Sequence, residues 1–461
     1  MTIGPDLIKE FRRIVGKDDV DNSPEGRISY GYDATQVQHR PEVILYPSNA
    51  EEVSRILSIC NREGIPLYPR GAGSGFAGGA IPVKGGVSLA MTRMNRIRKI
   101  VPEDLYAVVE PGVINGALQK AVEKMGLFYP PDPGSMAFST LGGNVATGAA
   151  GLRSLKYGVT RDYVMGLEAV LPNGEIIRPG VKTVKGVVGY DMTRLLVGSE
   201  GTLAVVTEIT LRLIPKPETS RTVLAVFADY RDAGRTVARV IDEKIIPSAM
   251  EFMDENCVNA VEDQFHLDLP AHGAAYLLIE VDGRPEETDR EIDRIDRICR
   301  QEGAVHMMRG SDRSEEERLW KARRSISQAI NRMGLTKVNE DIAVPRSRIP
   351  EILDYLQTLA REKRMRILTF GHAGDGNLHV NILIKAERRP EAEAVVEEIF
   401  REVLRLEGTI SAEHGIGMVK SRFIGMEIAP PLLSAMKRIK EALDPAGILN
   451  PGKIFPVDQS G

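Results

Sequence analysis

Cysteine, histidine and long apolar runs are all scarce in this chain, and each scarcity excludes something. Its three cysteines, Cys60, Cys257 and Cys299, lie far apart and form no CxxC pair. They supply neither a disulfide framework nor the ligand set of an iron–sulfur cluster. Charge of one sign is also lacking. A formal net charge of −4 gives no electrostatic case for nucleic acid or for an anionic membrane surface. The longest nearly uncharged stretch, Leu127 to Leu152, carries Asp132 alone as a charge, and Pro130, Pro131, Pro133 and repeated glycines break it. It cannot be a transmembrane helix. The opening MTIGPDLIKEF has neither a basic start nor an apolar core, so no signal peptide is expected. The expected location is cytoplasmic, with any membrane association made through a partner.

What remains is an ordinary globular composition, 43% hydrophobic and 27% charged, over 461 residues. That length is too great for one hydrophobic core, so two or three domains are expected.

With only seven histidines in the chain, a place where two gather is informative. The stretch Ile367 to Ile384 reads ILTFGHAGDGNLHVNILI. Gly374-Asp375-Gly376-Asn377 is turn chemistry between two apolar runs, which predicts strand, turn, strand. After the turn Leu378, Val380 and Ile382 alternate with His379 and Asn381, the pattern of a half-buried strand. His372 ends the incoming strand. The competing reading is a hairpin with two incidental histidines.

Three glycine-rich stretches precede it. Arg70 to Gly79, following a strand at Pro66 to Tyr68, has five glycines in the nine positions after Arg70. Its backbone amides can approach an anion such as a pyrophosphate closely. It is no P-loop, and Pro82 follows where a dinucleotide fingerprint needs a helix. Pro130 to Gly151 is a second stretch of small residues, suited to a flat or extended ligand or to a tight turn system. The third, Gly198-Ser199-Glu200-Gly201, enters a strand reaching Leu213, after which Pro215 and Pro217 end a domain. Beyond Pro217 strands and charged helices alternate, which predicts an antiparallel sheet covered on one face. Ser411-Ala412-Glu413-His414-Gly415-Ile416-Gly417 comes late, and the tail ends in Leu449-Asn450-Pro451-Gly452-Lys453.

Taken as a set, PRGAGSG, PDPGS, GGNVATGAAGLRSLKYGVTRDYV, GSEGTL, GHAGDGNLH, SAEHGIG and LNPGKIF resemble the flavin-dependent D-2-hydroxyacid dehydrogenases, from Tyr32 to Phe455. That group includes D-lactate dehydrogenase, D-2-hydroxyglutarate dehydrogenase and the catalytic subunit of glycolate oxidase. The resemblance implies an α+β fold of the vanillyl-alcohol-oxidase type, an FAD-binding domain with an antiparallel-sheet cap domain. Expected boundaries are a helical segment at 1–37, the FAD domain at 38–217, the cap at 218–425, and a tail at 426–461 returning to the FAD domain.

By the same resemblance, FAD contacts fall on Arg70, Gly71, Ala72, Gly73, Ser74, Gly75, Gly78 and Gly79. A second set falls on Pro133, Gly134, Ser135, Gly142, Asn144, Thr147 and Gly151, and a third on Glu200, Gly201 and Val206, with Asn450 near the flavin ring. Neither His nor Cys occurs in the first two loops, so FAD is expected to be non-covalent. Metal ligands fall on His372, His379 and Glu413. Two imidazoles and one carboxylate leave coordination positions open for substrate, and suit zinc, manganese or ferrous iron alike. Without the resemblance Glu413 would read as a surface carboxylate.

His414 is the expected general base, because imidazole titrates near neutral pH. Adjacent strand residues point to opposite faces, so Glu413 and His414 can share a site only if the chain bends, which Gly415 and Gly417 allow. Arg323 matches the family's substrate arginine, with Ser327 four residues on along a helix. A solvated face is the competing reading for it and for Arg324. Asn381 is the expected further polar contact to substrate. The implied reaction takes the hydroxyl proton of a 2-hydroxy acid onto His414 and the C2 hydrogen, as hydride, onto flavin. D-Lactate and glycolate are the foremost substrates, with D-2-hydroxyglutarate as the alternative. Electrons would leave to an electron-transfer flavoprotein, an iron–sulfur subunit, a quinone or a cytochrome. A homodimer is allowed. The rival functions are a metal-dependent hydrolase with structural glycine loops, and a nucleotide-binding subunit without its own catalysis.

Overall fold

The computed structural model of the protein describes residues 3–271 and 273–456. The chain forms two units. One gathers the residues up to Ala150, Val159–Lys216 and the chain from Glu413 onward, and the other gathers Gly151–Gly158 and Pro217–Ala412.

The first unit opens with short strands β1 (Val20–Asp21), β2 (Val43–Leu45), β3 (Leu67–Arg70) and β4 (Val87–Ala90), paired in the order β1-β2-β4-β3. β2, β4 and β3 run parallel, as a strand–helix–strand connection requires. That connection is the helix Ala50–Glu63. Asn49 caps it by accepting the Glu52 amide at 2.9 Å, and Gly64 ends it in the left-handed conformation, φ 65°. Val53, Ile56, Leu57 and Cys60 recur at helical spacing and are buried against β2, β3 and β4, with Phe11 of the helix Pro5–Val15 in the same core. A second sheet contains β5 (Ile97–Val101), β6 (Tyr106–Val109), β8 (Val164–Val170), β9 (Ile176–Ile177) and β10 (Val205–Arg212). Its order is β5-β6-β10-β8-β9, antiparallel throughout. A ribbon of β7 (Leu127–Phe128) and β11 (Ile214–Pro215) completes the unit's strands among the described residues.

The second unit is one antiparallel sheet of seven strands in the order β15-β12-β14-β13-β17-β18-β16. These are β12 (Thr219–Phe227), β13 (Ala249–Asp254), β14 (Ala275–Gly283), β15 (Ala304–Arg309), β16 (Thr336–Ala343), β17 (Arg366–Gly371) and β18 (Asn377–Ile384). The sheet differs from the expected one in being covered on both faces at its centre. Every residue of β18, and all but the last of β14, is buried. The sequence carries the reason: AYLLI, at the start of β14, is a continuous apolar run rather than an alternation. Helices Glu255–Phe265 and Arg313–Asn331 close one face over Met253, Leu278, Leu368 and Phe370.

The division into units departs from the expected boundaries at two places. Gly151–Gly158 joins the second unit, where Lys156 Nζ lies 2.6 Å from Asp282 Oδ1 and Tyr157 donates to Asp282 Oδ2 at 2.8 Å. The first unit resumes at Glu413, earlier than the expected 426. Among the described residues no helix is long and apolar enough to cross a membrane.

Candidate active site

In the second unit the hairpin turn is fixed by one glycine. Gly376 has φ 86°, and a Cβ there would lie 2.0 Å from the Val344 carbonyl oxygen, so both conformation and space exclude a side chain. The amides of Asp375 and Asn377 return to the His372 carbonyl at 3.2 and 3.1 Å. Register then lines up the polar residues. His379 stands opposite Asp341 on β16 and Phe370 on β17, and Asn381 opposite Asn339 and Leu368. Cross-strand partners share a face, so His379, Asn381, Asp341 and Asn339 form a polar row within an otherwise apolar layer.

His372, one residue past β17, presents its ring edge-on to His379 with centroids 5.3 Å apart. Its Nδ1 lies 2.8 and 2.9 Å from the two carboxylate oxygens of Glu251 on β13. A carboxylate accepts only, so Nδ1 carries a proton and Nε2 is the ring nitrogen left outside this contact. Glu251 also accepts Nε and Nη2 of Arg323, each at 2.7 Å. Burial pushes the Glu251 carboxyl up, but the charges of His372 and Arg323 outweigh it and leave the group below the usual glutamate value. Arg323 is itself buried, with its guanidinium carbon 4.7 Å from the centre of the Phe370 ring. Ser327 and Arg324 are exposed. Asn381 is buried and turns its Nδ2 to the carbonyls of His379 and Leu368, at 3.2 and 3.4 Å. Two imidazoles, one of them oriented by a carboxylate behind it, suit a divalent metal by donor chemistry.

In the first unit the glycine loops meet. Arg70 ends β3 buried beside Asp33, its guanidinium 5.2 Å over the Tyr30 ring, and burial lowers its pKa. Gly73, φ 68°, lies so near that a Cβ would stand 2.2 Å from Arg70 Nη2. A Cβ on Gly71 would stand 2.1 Å from Thr140 Oγ1, and one on Gly142 2.5 Å from Pro111 Cβ. Ala72 and Gly75 are exposed, Ser74 and Gly79 half-buried, and Gly78 buried with φ 75°. Pro133 is buried, Gly134 exposed and Ser135 half-buried; Thr147 donates back to the Gly143 carbonyl at 3.1 Å. Buried polar atoms remain that find no partner among the described residues: Arg70 Nη1, Ser139 Oγ, Asn144 Oδ1 and Asn450 Oδ1. Unsatisfied buried atoms are costly, and their gathering around loops too narrow for side chains fits a polar, extended guest such as FAD.

Glu200 is held within the first unit by three hydrogen bonds. Its two oxygens accept the amides of Ile416 and Gly417 at 2.8 and 2.7 Å, and its carbonyl accepts Asn450 Nδ2 at 2.7 Å. Burial raises its pKa while those two amides pull it down. It braces residues 413–417. Gly415 and Gly417 there have φ 79° and 49°, the bend that the sequence called for. His414 lies against Phe76, ring centroids 5.0 Å apart, with Nε2 3.6 Å from Glu413 Oε1. Gly201 has φ 66°, and a Cβ there would lie 3.8 Å from Asn450 Nδ2; Val206 lies on β10. Gly151 opens the stretch Gly151–Gly158, which belongs to the second unit.

Sequence reasoning missed Glu251 and Asp341. Glu251 stands between Met250 and Phe252 in AMEFMD, and Asp341 between Glu340 and Ile342 in NEDIA, and a carboxylate placed in a strand where burial is inevitable must be paired. That signal was present but names no partner.

Comparison with known proteins decides the family. The family described as "FAD linked oxidases, C-terminal domain" matches residues 216–454, and "FAD binding domain" matches residues 41–180. The chain belongs to the FAD-linked oxidases. This FAD-linked oxidase is 45% identical to the glycolate oxidase subunit GlcD of Bacillus subtilis, over 99% of this chain and 98% of that one. It is 34% identical to D-lactate dehydrogenase of Anaerostipes hadrus, over 98% of each chain. It is also 34% identical to a mitochondrial D-lactate dehydrogenase (cytochrome) of Arabidopsis thaliana, over 90% of this chain and 74% of that one. Among solved structures, substrate-bound p-cresol methylhydroxylase superposes with a TM-score of 0.80 at 20% identity, covering 98% and 97% of the two chains. The fold of this FAD-linked oxidase is the vanillyl-alcohol-oxidase type, α+β with antiparallel sheets.

Proposed function

We propose that this flavoprotein oxidises a D-2-hydroxy acid, D-lactate or glycolate foremost, to the 2-oxo acid and passes the electrons to a separate acceptor. The observation that carries the reading is the buried polar group Glu251, His372, His379 and Arg323 in an apolar sheet layer, in a chain 45% identical to a glycolate oxidase subunit. An apolar layer does not hold two imidazoles and an ion pair without a task for them.

Bound FAD supplies the two-electron acceptor, and a bound divalent metal supplies a Lewis acid that lowers the hydroxyl pKa. The chain's own residues do the rest. Arg323 offers its guanidinium to the substrate carboxylate, and Ser327 and Asn381 are the further polar contacts. His372 and His379 offer ring nitrogens to the metal. Glu413, which follows Ala412 directly in the chain, completes that ligand set. The His414 imidazole receives the hydroxyl proton. The small side chains from Arg70 to Gly79 and from Pro133 to Thr147 hold FAD without a covalent link. The word subunit in the Bacillus relative's name, and cytochrome in that of the Arabidopsis relative, support a protein acceptor. An electron-transfer flavoprotein, an iron–sulfur subunit or a cytochrome fits that chemistry, with a quinone as the small-molecule counterpart.

The test is a visible spectrum of the purified protein before and after anaerobic D-lactate and then glycolate. Flavin bands that bleach with either acid establish the reaction. Bands that bleach only with 2-hydroxyglutarate would move the substrate assignment, and a protein that takes up no FAD would sink it.

A further inference from the structure

We infer that Glu251 is a positioning residue that sets metal affinity and substrate-carboxylate binding together, by holding the His372 imidazole and the Arg323 guanidinium from one side chain. The inference rests on the metal reading given above and extends it to a residue outside the ligand and substrate sets.

Geometry carries the argument. Glu251 is fully buried, in the middle of β13, so its orientation is fixed by the strand. Both of its oxygens face His372 Nδ1, and one of them also takes Nε and Nη2 of Arg323. The carboxylate thereby keeps a proton on His372 Nδ1, so that Nε2 is the nitrogen available to a metal. It also holds a long, flexible arginine in one orientation, with the Phe370 ring against its face. Carboxylates behind metal-bound histidines orient the ring and raise its basicity, and their removal weakens metal binding by ~10–100-fold. Here the same carboxylate also neutralises the arginine, so the guanidinium meets a substrate anion as half of an existing ion pair rather than as a bare cation. A change at Glu251 must therefore move both properties at once. A residue that merely filled space would move neither.

The experiment uses the FAD-loaded protein, stripped with a chelator and retitrated with zinc and with manganese against a competing chelator. It compares the wild type with Glu251→Gln, which keeps the shape, and Glu251→Asp, which keeps the charge. Flavin absorbance reports that each variant is folded. The expected result for Glu251→Gln is a metal dissociation constant raised ~10–100-fold. KM for the hydroxy acid should rise at saturating metal, and Glu251→Asp should recover part of both. Arg323→Lys should then cost less in the Glu251→Gln background than alone, because the two share one interaction. A Glu251→Gln protein with wild-type metal affinity and KM, altered only in melting temperature, overturns the inference and leaves the metal reading intact. A wild type that takes up neither metal overturns the metal reading and the inference with it.

Discussion

The carboxylate of Asp341 accepts the backbone amide of Ala412 at 3.0 Å, and its other oxygen accepts Asn377 Nδ2 at 2.7 Å. One buried side chain thus ties the start of β18, which carries His379, to the residue that precedes Glu413 and His414 in the chain. Asp341→Ala is expected to remove the acceptor of the Ala412 amide and one of the two acceptors of Asn377 Nδ2, which keeps the Ile342 carbonyl at 2.8 Å, at a cost of ~1–3 kcal/mol in all. Asp341→Asn should be milder, since one oxygen still accepts. Melting temperature and turnover together check this. An Asp341→Ala protein as stable and active as the wild type would remove the tie.

His414→Ala should lose ~10²–10⁴-fold in turnover, the usual contribution of a general base, while the flavin spectrum stays intact. Turnover within a few-fold of wild type would transfer the role to another residue.

His372→Ala should remove the metal and abolish activity without releasing FAD. Inductively coupled plasma analysis of the purified variant, beside its flavin absorbance, reads the two separately. Full activity in this variant would end the metal proposal.

Arg323→Leu is expected to be destabilising by about 3–5 kcal/mol, because Glu251 would keep a buried charge without its guanidinium. Chemical denaturation measures it. If the loss were under about 1 kcal/mol, as surface pairs show, the pair would not hold the fold.

Lys453 gives a pH prediction. Burial brings its ammonium down to about 8, against the opposing pull of Asp33 and Glu200, and its Nζ donates to the Ile81 carbonyl at 2.6 Å. Between about 8 and the ordinary lysine value of 10.5 the native group has lost its proton while the unfolded one keeps it. The unfolded state then binds more protons, so this group's contribution makes stability rise with pH across that window. Unfolding free energies for wild type and Lys453→Met should converge or cross there. Parallel curves would mean that the group titrates as an ordinary lysine.

How much of this was legible in the sequence follows from distance along the chain. The hairpin was legible because a Gly-Asp-Gly turn and a period of two are local signals. Its full burial was less so, since that depends on helices contributed from elsewhere. Glu251 was not assigned at all, because its partners Arg323 and His372 lie 72 and 121 residues away and nothing local distinguishes a paired acid from a solvated one. The family resemblance points to Glu200 as a cofactor contact, but nothing in the sequence shows that its carboxylate grips amides 216 and 217 residues later. The return to the first unit at Glu413 is unmarked by any change of composition. It is set by the bend at Gly415 and Gly417 and by Glu200, neither of which shows as a domain linker.

The edge of β3 is completed by the end of the chain. Leu67 donates to the Ile448 carbonyl at 2.8 Å and accepts from the Asn450 amide at 2.7 Å, a parallel bridge centred on Leu449. During synthesis, the glycine loop that follows β3 therefore emerges hundreds of residues before the segment that secures it, and long-range pairing of this kind closes slowly. The nascent first unit must wait with an open strand edge while the whole second unit is made. A chain cut short at Ala412 would carry the histidine hairpin but would lack the segment around Leu449 that bridges to β3.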